Sequence, residues 1–188
     1  MNRIPALPIC CPLLVLFVLA ACGGRQEPAE TPETPATTME TAMPAPPDTT
    51  GAAVWAYLQE VGYRDNWARW PGKGELYAGQ EPHGMLLTTY LNPAAREALT
   101  ARAGTMPPGA IIVKENYMPD STLAAVTVMY KVAGYNPAHN DWFFSKHLPD
   151  GTLDRSPEGM ALEGRVPGCQ NCHGGRKAND YIFTGALR

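Results

Sequence analysis

The chain has 188 residues and a formal charge of -3, from 15 Lys and Arg against 18 Asp and Glu. That length suits one folded domain with appendages, and that charge argues against a nucleic-acid binder. All four Trp and seven of the eight Tyr lie between residue 50 and Cys169, so the packed region starts near Trp55.

The N-terminus reads as a targeting segment. Arg3 gives it a basic start, and residues 7–21 are mostly apolar. The run is too short and too abruptly ended for a comfortable membrane span. It closes on Leu19-Ala20-Ala21-Cys22, which resembles the lipobox of bacterial lipoproteins. The resemblance implies cleavage after residue 21 and lipidation of Cys22. The alternative is an ordinary signal peptide with an incidental cysteine. Both readings export the protein, and the first places it on the periplasmic side of a bacterial membrane, held by a lipid anchor.

Residues 22–52 read as a tether. The stretch holds six Pro, repeated Thr and Ala, and no aromatic residue. Five acids face Arg25 alone, for a charge of about -4. Such a composition buries too little apolar surface to offset the entropy of ordering it, so it should be extended. The rest, residues 53–188, is the domain, with 13 basic and 13 acidic residues.

Within the domain, residues 52–61 read as a helix with Val54, Trp55, Leu58 and Val61 on one face. Residues 66–71 form a turn, with Trp67 and Trp70 packing beneath it. Residues 84–91 read as a strand. Asn92-Pro93 starts a helix through about Ala101, with Asn92 as N-cap and Pro93 at the first helical position. Pro107-Pro108-Gly109 is a turn. Strands follow at 110–117, 123–132 and 141–147. Short connections make antiparallel pairing the default. Residues 149–168 are polar and rich in Gly and Pro, and should wrap across the sheet. The tail from Gly174 should be part helix, anchored by Ile182 and Phe183. The expected class is α+β: a mainly antiparallel sheet with peripheral helices and a cysteine-histidine motif near the C-terminus.

That motif is Cys169-Gln170-Asn171-Cys172-His173, the C-x-x-C-H signature of c-type haem attachment. Two thiols at this spacing can each add to one vinyl group of a single haem, and the next residue supplies an imidazole to the iron. The predicted cofactor is one covalent haem c, held by Cys169 and Cys172 with His173 as axial ligand. A thioredoxin-like pair is the first alternative, but such pairs sit near a βαβ pattern. A zinc site is the second, but it wants four Cys or His ligands and would have to gather His83, His139 or His147. A small-loop disulfide is the third.

A wider resemblance rests on several stretches. These are Gly79-Gln80-Glu81-Pro82-His83-Gly84, Ile112-Val113-Lys114-Glu115-Asn116-Tyr117, Met129-Tyr130-Lys131, Asp141-Trp142-Phe143-Phe144, and the C-x-x-C-H followed by Asp180-Tyr181-Ile182-Phe183-Thr184. Together they resemble the cytochrome P460 family, which includes the cytochromes c′-β, over roughly residues 55–188. The resemblance implies an antiparallel β domain, usually a homodimer, with one c-type haem and an open distal site.

Two positions bear on the branch. In the P460 enzymes a lysine in the V-K-E strand is joined covalently to the haem edge, and Lys114 stands at the matching place. In a strand Lys114 shares a face with Ile112 and Asn116. The alternatives are a solvent-facing Lys114 or one paired with a propionate. Where hydroxylamine-oxidising members place a distal carboxylate, this chain has Met129, which cannot serve as a general base. Thr127 and Lys131 share the face of Met129, and Thr127 or a rotated Lys131 is the candidate to compensate, but neither is an obvious base at neutral pH. Met129 is also a candidate thioether ligand, or simply core. His83 could line the pocket or hold a turn. His139 is expected to be exposed, and His147 could meet a propionate.

The expected function is capture of nitric oxide or a related small nitrogen species at an open haem site, with one-electron chemistry and an unidentified redox partner. P460-type oxidation of hydroxylamine, with a Lys114 cross-link, is the enzymatic alternative. A six-coordinate electron-transfer cytochrome is the third.

Overall fold

The structure is a computed structural model that describes residues 44–188. The predicted signal peptide, the lipidation position Cys22 and the tether up to residue 43 lie outside the described residues.

The domain opens on helix α1 (Gly51–Glu60), so the first helical turn takes up residues 51 and 52, where the composition still reads as tether. Thr50 caps it, accepting a hydrogen bond from the Ala53 amide at 3.2 Å. Gly62, in the left-handed region, ends the helical path. The buried stripe is Val54, Tyr57 and Leu58. Trp55, expected on that stripe, is half-buried and lies beside His147, with ring centroids 5.1 Å apart.

The expected turn at 66–71 contains more structure. A single helical turn, α2 (Tyr63–Asn66), runs into the short strand β1 (Ala68–Arg69). Trp67 and Trp70 are both buried, in different cores on the two faces of the sheet. They stand an odd number of positions apart along nearly extended chain, which accounts for the change of face.

β1, β2 (Tyr77–Ala78), β3 (Leu86–Leu91), β4 (Ile111–Tyr117), β5 (Leu123–Lys131), β6 (Trp142–His147) and β7 (Glu163–Gly164) form one antiparallel sheet. The order is β1-β3-β4-β5-β6-β7, with β2 also pairing with β3. Consecutive long strands are neighbours, as short connections require. Helix α3 (Pro93–Thr100) follows β3, and its N-cap is Asn92. The Asn92 side chain accepts from the amides of Ala95 and Ile111, each at 3.0 Å, and donates to the Gly109 carbonyl at 2.8 Å. One side chain thus starts the helix and fixes the turn into β4.

Residues 149–168 run along the edge of the sheet instead of across it. β7 pairs with β6, and an isolated bridge joins His147 to Leu153. The chain then enters α4 (Pro167–Gly174), which begins at the Pro-Gly pair that reads as loop in sequence. Proline suits that first position because its missing N–H would have no partner there. The tail contains only one 3-10 turn, at Lys177–Asn179. Ile182 and Leu187 anchor it, whereas Phe183 is 41% exposed.

The two faces of the sheet bury two separate cores. On one, α1 packs on Ile111, Val113, Val126, Val128 and Phe143. On the other, α3 and the C-terminal segment pack on Leu91, Ile112, Trp142 and Phe144. The alternation along β4 and β5 decides which side chain goes where.

Candidate functional site

The site-bearing face is built from cross-strand rows. Ile112 of β4 pairs with Met129 of β5, which pairs with Phe144 of β6. One step along, Lys114 pairs with Thr127, and Thr127 with Lys146. An apolar row therefore lies beside a polar row carrying two lysines. Helix α4 covers them and brings Cys169, Cys172 and His173 to the same cavity. Its helical spacing puts Cys169 and Cys172, then Cys169 and His173, on adjacent turns of one face. The cavity and its open mouth together contain about 1050 Å³.

His173 is buried at 7% exposure. Its Nδ1–H donates to the Tyr181 carbonyl at 2.7 Å. That bond selects the tautomer whose Nε2 carries a lone pair, and no described residue hydrogen-bonds Nε2. Phe144 and Phe183 pack against the imidazole, with centroids 5.4 Å away in each case. Burial lowers the His173 pKa, despite the bond to Tyr181, so the ring stays neutral and able to ligate. Cys169 and Cys172 are free thiols, and burial raises the pKa of Cys169.

Lys114 faces the cavity, not solvent. It makes no ion pair among the described residues, and desolvation lowers its pKa to about 8. Thr127 and Met129 line the same cavity. The Thr127 hydroxyl lies 3.4 Å from His83 Nδ1 and donates to the Lys114 carbonyl at 3.2 Å. Lys131, by contrast, points away into a buried ion pair with Asp180, with Nζ–Oδ1 at 2.7 Å.

His83 lines the cavity, edge-on to His173 with centroids 6.0 Å apart. Burial, then the charges of Lys114 and His173, lower its pKa to about 3. His139 is half-buried and pairs with the Tyr181 hydroxyl at 3.2 Å. His147 is fully buried, bonded to Ser145 and Gly151, and does not line the cavity. Among the described residues no three His, Cys, Asp or Glu side chains gather as a metal cluster, so the zinc alternative finds no ligand set.

Sequence reasoning missed Lys146, Phe144 and Asp180. The first two were within reach, because Phe144 and Lys146 alternate along a predicted strand. Lys146 pairs with Asp154 at 2.8 Å. Asp180 had no local signal, since its partners are distant in sequence.

The donor set fits a c-type haem. Two thiols, a neutral imidazole with an unbonded Nε2, apolar walls and two lysines suited to propionates share one cavity. No curated protein matches the chain. The family model of cytochrome P460 matches residues 63–184, well over half of the chain, and spans every element from α2 through α4. With the motif, the sheet and the cavity in agreement, the chain belongs to the cytochrome P460 family, whose members are c-type haem proteins.

Proposed function

We propose that the protein captures nitric oxide or a related small nitrogen species at a single covalent haem c. Bound haem supplies an iron that takes such ligands and exchanges single electrons. Cys169 and Cys172 would hold the group through thioethers, and His173 would ligate it through Nε2. The observation that carries the reading is the composition of the cavity wall. Ile112, Met129 and Phe144 form an apolar row without a carboxylate, while Glu81 lines the adjoining cleft that shares His83, Lys114 and His173. A wall without a carboxylate offers no such base for moving protons at that face, while an apolar wall keeps a pocket dry for a small uncharged ligand.

One observation favours a second reading, oxidation of hydroxylamine by a cross-linked haem. Lys114 is a desolvated amine without an anionic partner among the described residues, and a pKa near 8 leaves part of it neutral and nucleophilic near neutral pH.

The test is the visible spectrum of the haem-loaded protein in ferric and ferrous states, with and without nitric oxide, beside mass spectrometry of the haem peptide. A high-spin spectrum, ligand binding and a free Lys114 peptide support capture. A red-shifted ferrous Soret band with Lys114 attached, plus steady turnover of hydroxylamine with an electron acceptor, supports the second reading. A low-spin spectrum that Met129→Leu converts to high-spin assigns Met129 as an axial ligand and overturns both.

Export, lipidation at Cys22 and a homodimer belong to the same proposal. Cys22→Ala should release the protein from the membrane fraction, and sedimentation of the soluble domain should give twice the chain mass.

A further inference from the structure

The stretch Asp180-Tyr181-Ile182-Phe183-Thr184 is distinctive in sequence, yet only its tyrosine carbonyl hydrogen-bonds the candidate ligand. Asp180 accounts for how that carbonyl is held. Its carboxylate is buried, at 1% exposure, and carries four hydrogen bonds. Oδ1 accepts from Lys131 Nζ at 2.7 Å and from Asn140 Nδ2 at 2.9 Å. Oδ2 accepts from the Met106 amide at 2.7 Å and from Lys131 Nζ at 3.0 Å. The Asp180 carbonyl accepts from Trp142 Nε1 at 3.0 Å. Lys131 is itself held over the Trp142 ring, 4.8 Å from its centroid.

These contacts come from β5, β6, the turn before β6 and the chain leading to β4. They converge on a backbone that needs holding. Asp180 and Tyr181 have φ of 51° and 68°, a conformation that side-chain-bearing residues rarely adopt. Two consecutive residues in that region persist only where their surroundings over-determine them. The next peptide carries the Tyr181 carbonyl that accepts from His173 Nδ1.

We infer that Asp180 is a positioning residue: the Lys131–Asp180–Asn140 clamp fixes the Tyr181 carbonyl, and through it the tautomer and donor strength of His173. The inference rests on the haem reading above. A firm acceptor on Nδ1 makes the ligating nitrogen more basic, which favours ferric iron. Loosening the clamp should therefore shift the equilibrium toward ferrous iron.

The experiment compares haem-loaded wild type, Asp180→Asn, Asn140→Ala and Leu58→Ala. Leu58→Ala serves as the stability control, because Leu58 lies in the opposite core. The readouts are the reduction potential, the iron–histidine stretch in the ferrous resonance Raman spectrum, and the unfolding midpoint. Asp180→Asn should shift the ferric–ferrous equilibrium about tenfold toward ferrous, about 59 mV upward for one electron, and move the stretch to lower frequency. Asn140→Ala keeps the ion pair, so it should fold if Asp180→Asn does not, and should give a smaller shift in the same direction. Leu58→Ala should lower the midpoint and leave potential and stretch in place. Unmoved values in both clamp variants, or shifts matched by Leu58→Ala, overturn the positioning role while the haem reading stands. Wild type without covalent haem overturns both.

Discussion

Lys114 and His83 line one cavity, and both bear the cost of losing water. For Lys114 the consequence is a pH dependence with a definite sign. Below about pH 8 both folded and unfolded chains hold the proton, and the folded chain carries a desolvated cation. Between about 8 and the ordinary value of 10.5, the folded chain has released it and the unfolded chain has not. Stability rises with pH wherever the unfolded state binds more protons. In the haem-free protein, the urea midpoint of wild type relative to Lys114→Met should therefore rise across that window. His147 gives the opposite end of the scale. Burial lowers its pKa, so it contributes stability that is present above 6.5 and lost as pH falls below it. His147→Gln should flatten the acid limb of the same titration. At this scale the sequence was partly legible. Lys114, Thr127 and Met129 could be put on one face by counting in twos. Asp180 could not, because Lys131, Asn140 and Met106 reach it only after the sheet has formed.

Elements here are held by a few multiply bonded side chains. Asn92 caps α3 and also satisfies the first amide of β4. Asn92→Ala should lose the cap, worth about 1 kcal/mol, and leave buried polar groups unpartnered at about 1–3 kcal/mol. A fall of roughly 2–4 kcal/mol in unfolding free energy, read from urea titration, is the expected result. This element was visible beforehand, since Asn-Pro ahead of an apolar-periodic stretch encodes its own start. β1, β2 and β7 were not. Each is two residues long and exists because β3 or β6 offers a free edge. Nor did periodicity choose between Trp55 and Tyr57 on α1, because neighbouring stripes of a short helix are equally apolar until the sheet selects one.

At the scale of the molecule, the sheet divides two kinds of interior. The α1 side contains a buried carboxylate, Glu115, that accepts from Tyr63 and Tyr117 hydroxyls at 2.8 and 2.6 Å and from Arg64 Nε. Glu115→Gln weakens three charge-assisted bonds and should cost about 1.5–3 kcal/mol. Leu58→Ala in the same interior should cost about 2–5 kcal/mol. Both should leave the haem spectrum unchanged, which equilibrium unfolding and absorption can check together. Antiparallel meander and α+β class were readable from short connections and strand-like runs. The partition into two cores was readable only as alternation, without showing which side α4 would close.

Glu115 and Lys114 are adjacent in the chain and belong to opposite sides of that partition. Substitution can therefore proceed on the two sides almost independently. The core under α1 is untouched by changes at Lys114, Thr127 and Met129, which line the cavity on the other face and can vary one at a time. A scaffold arranged this way is open to selection for new chemistry, since a lineage can exchange a methionine for a carboxylate, or a lysine for an apolar side chain, without first rebuilding what holds it together.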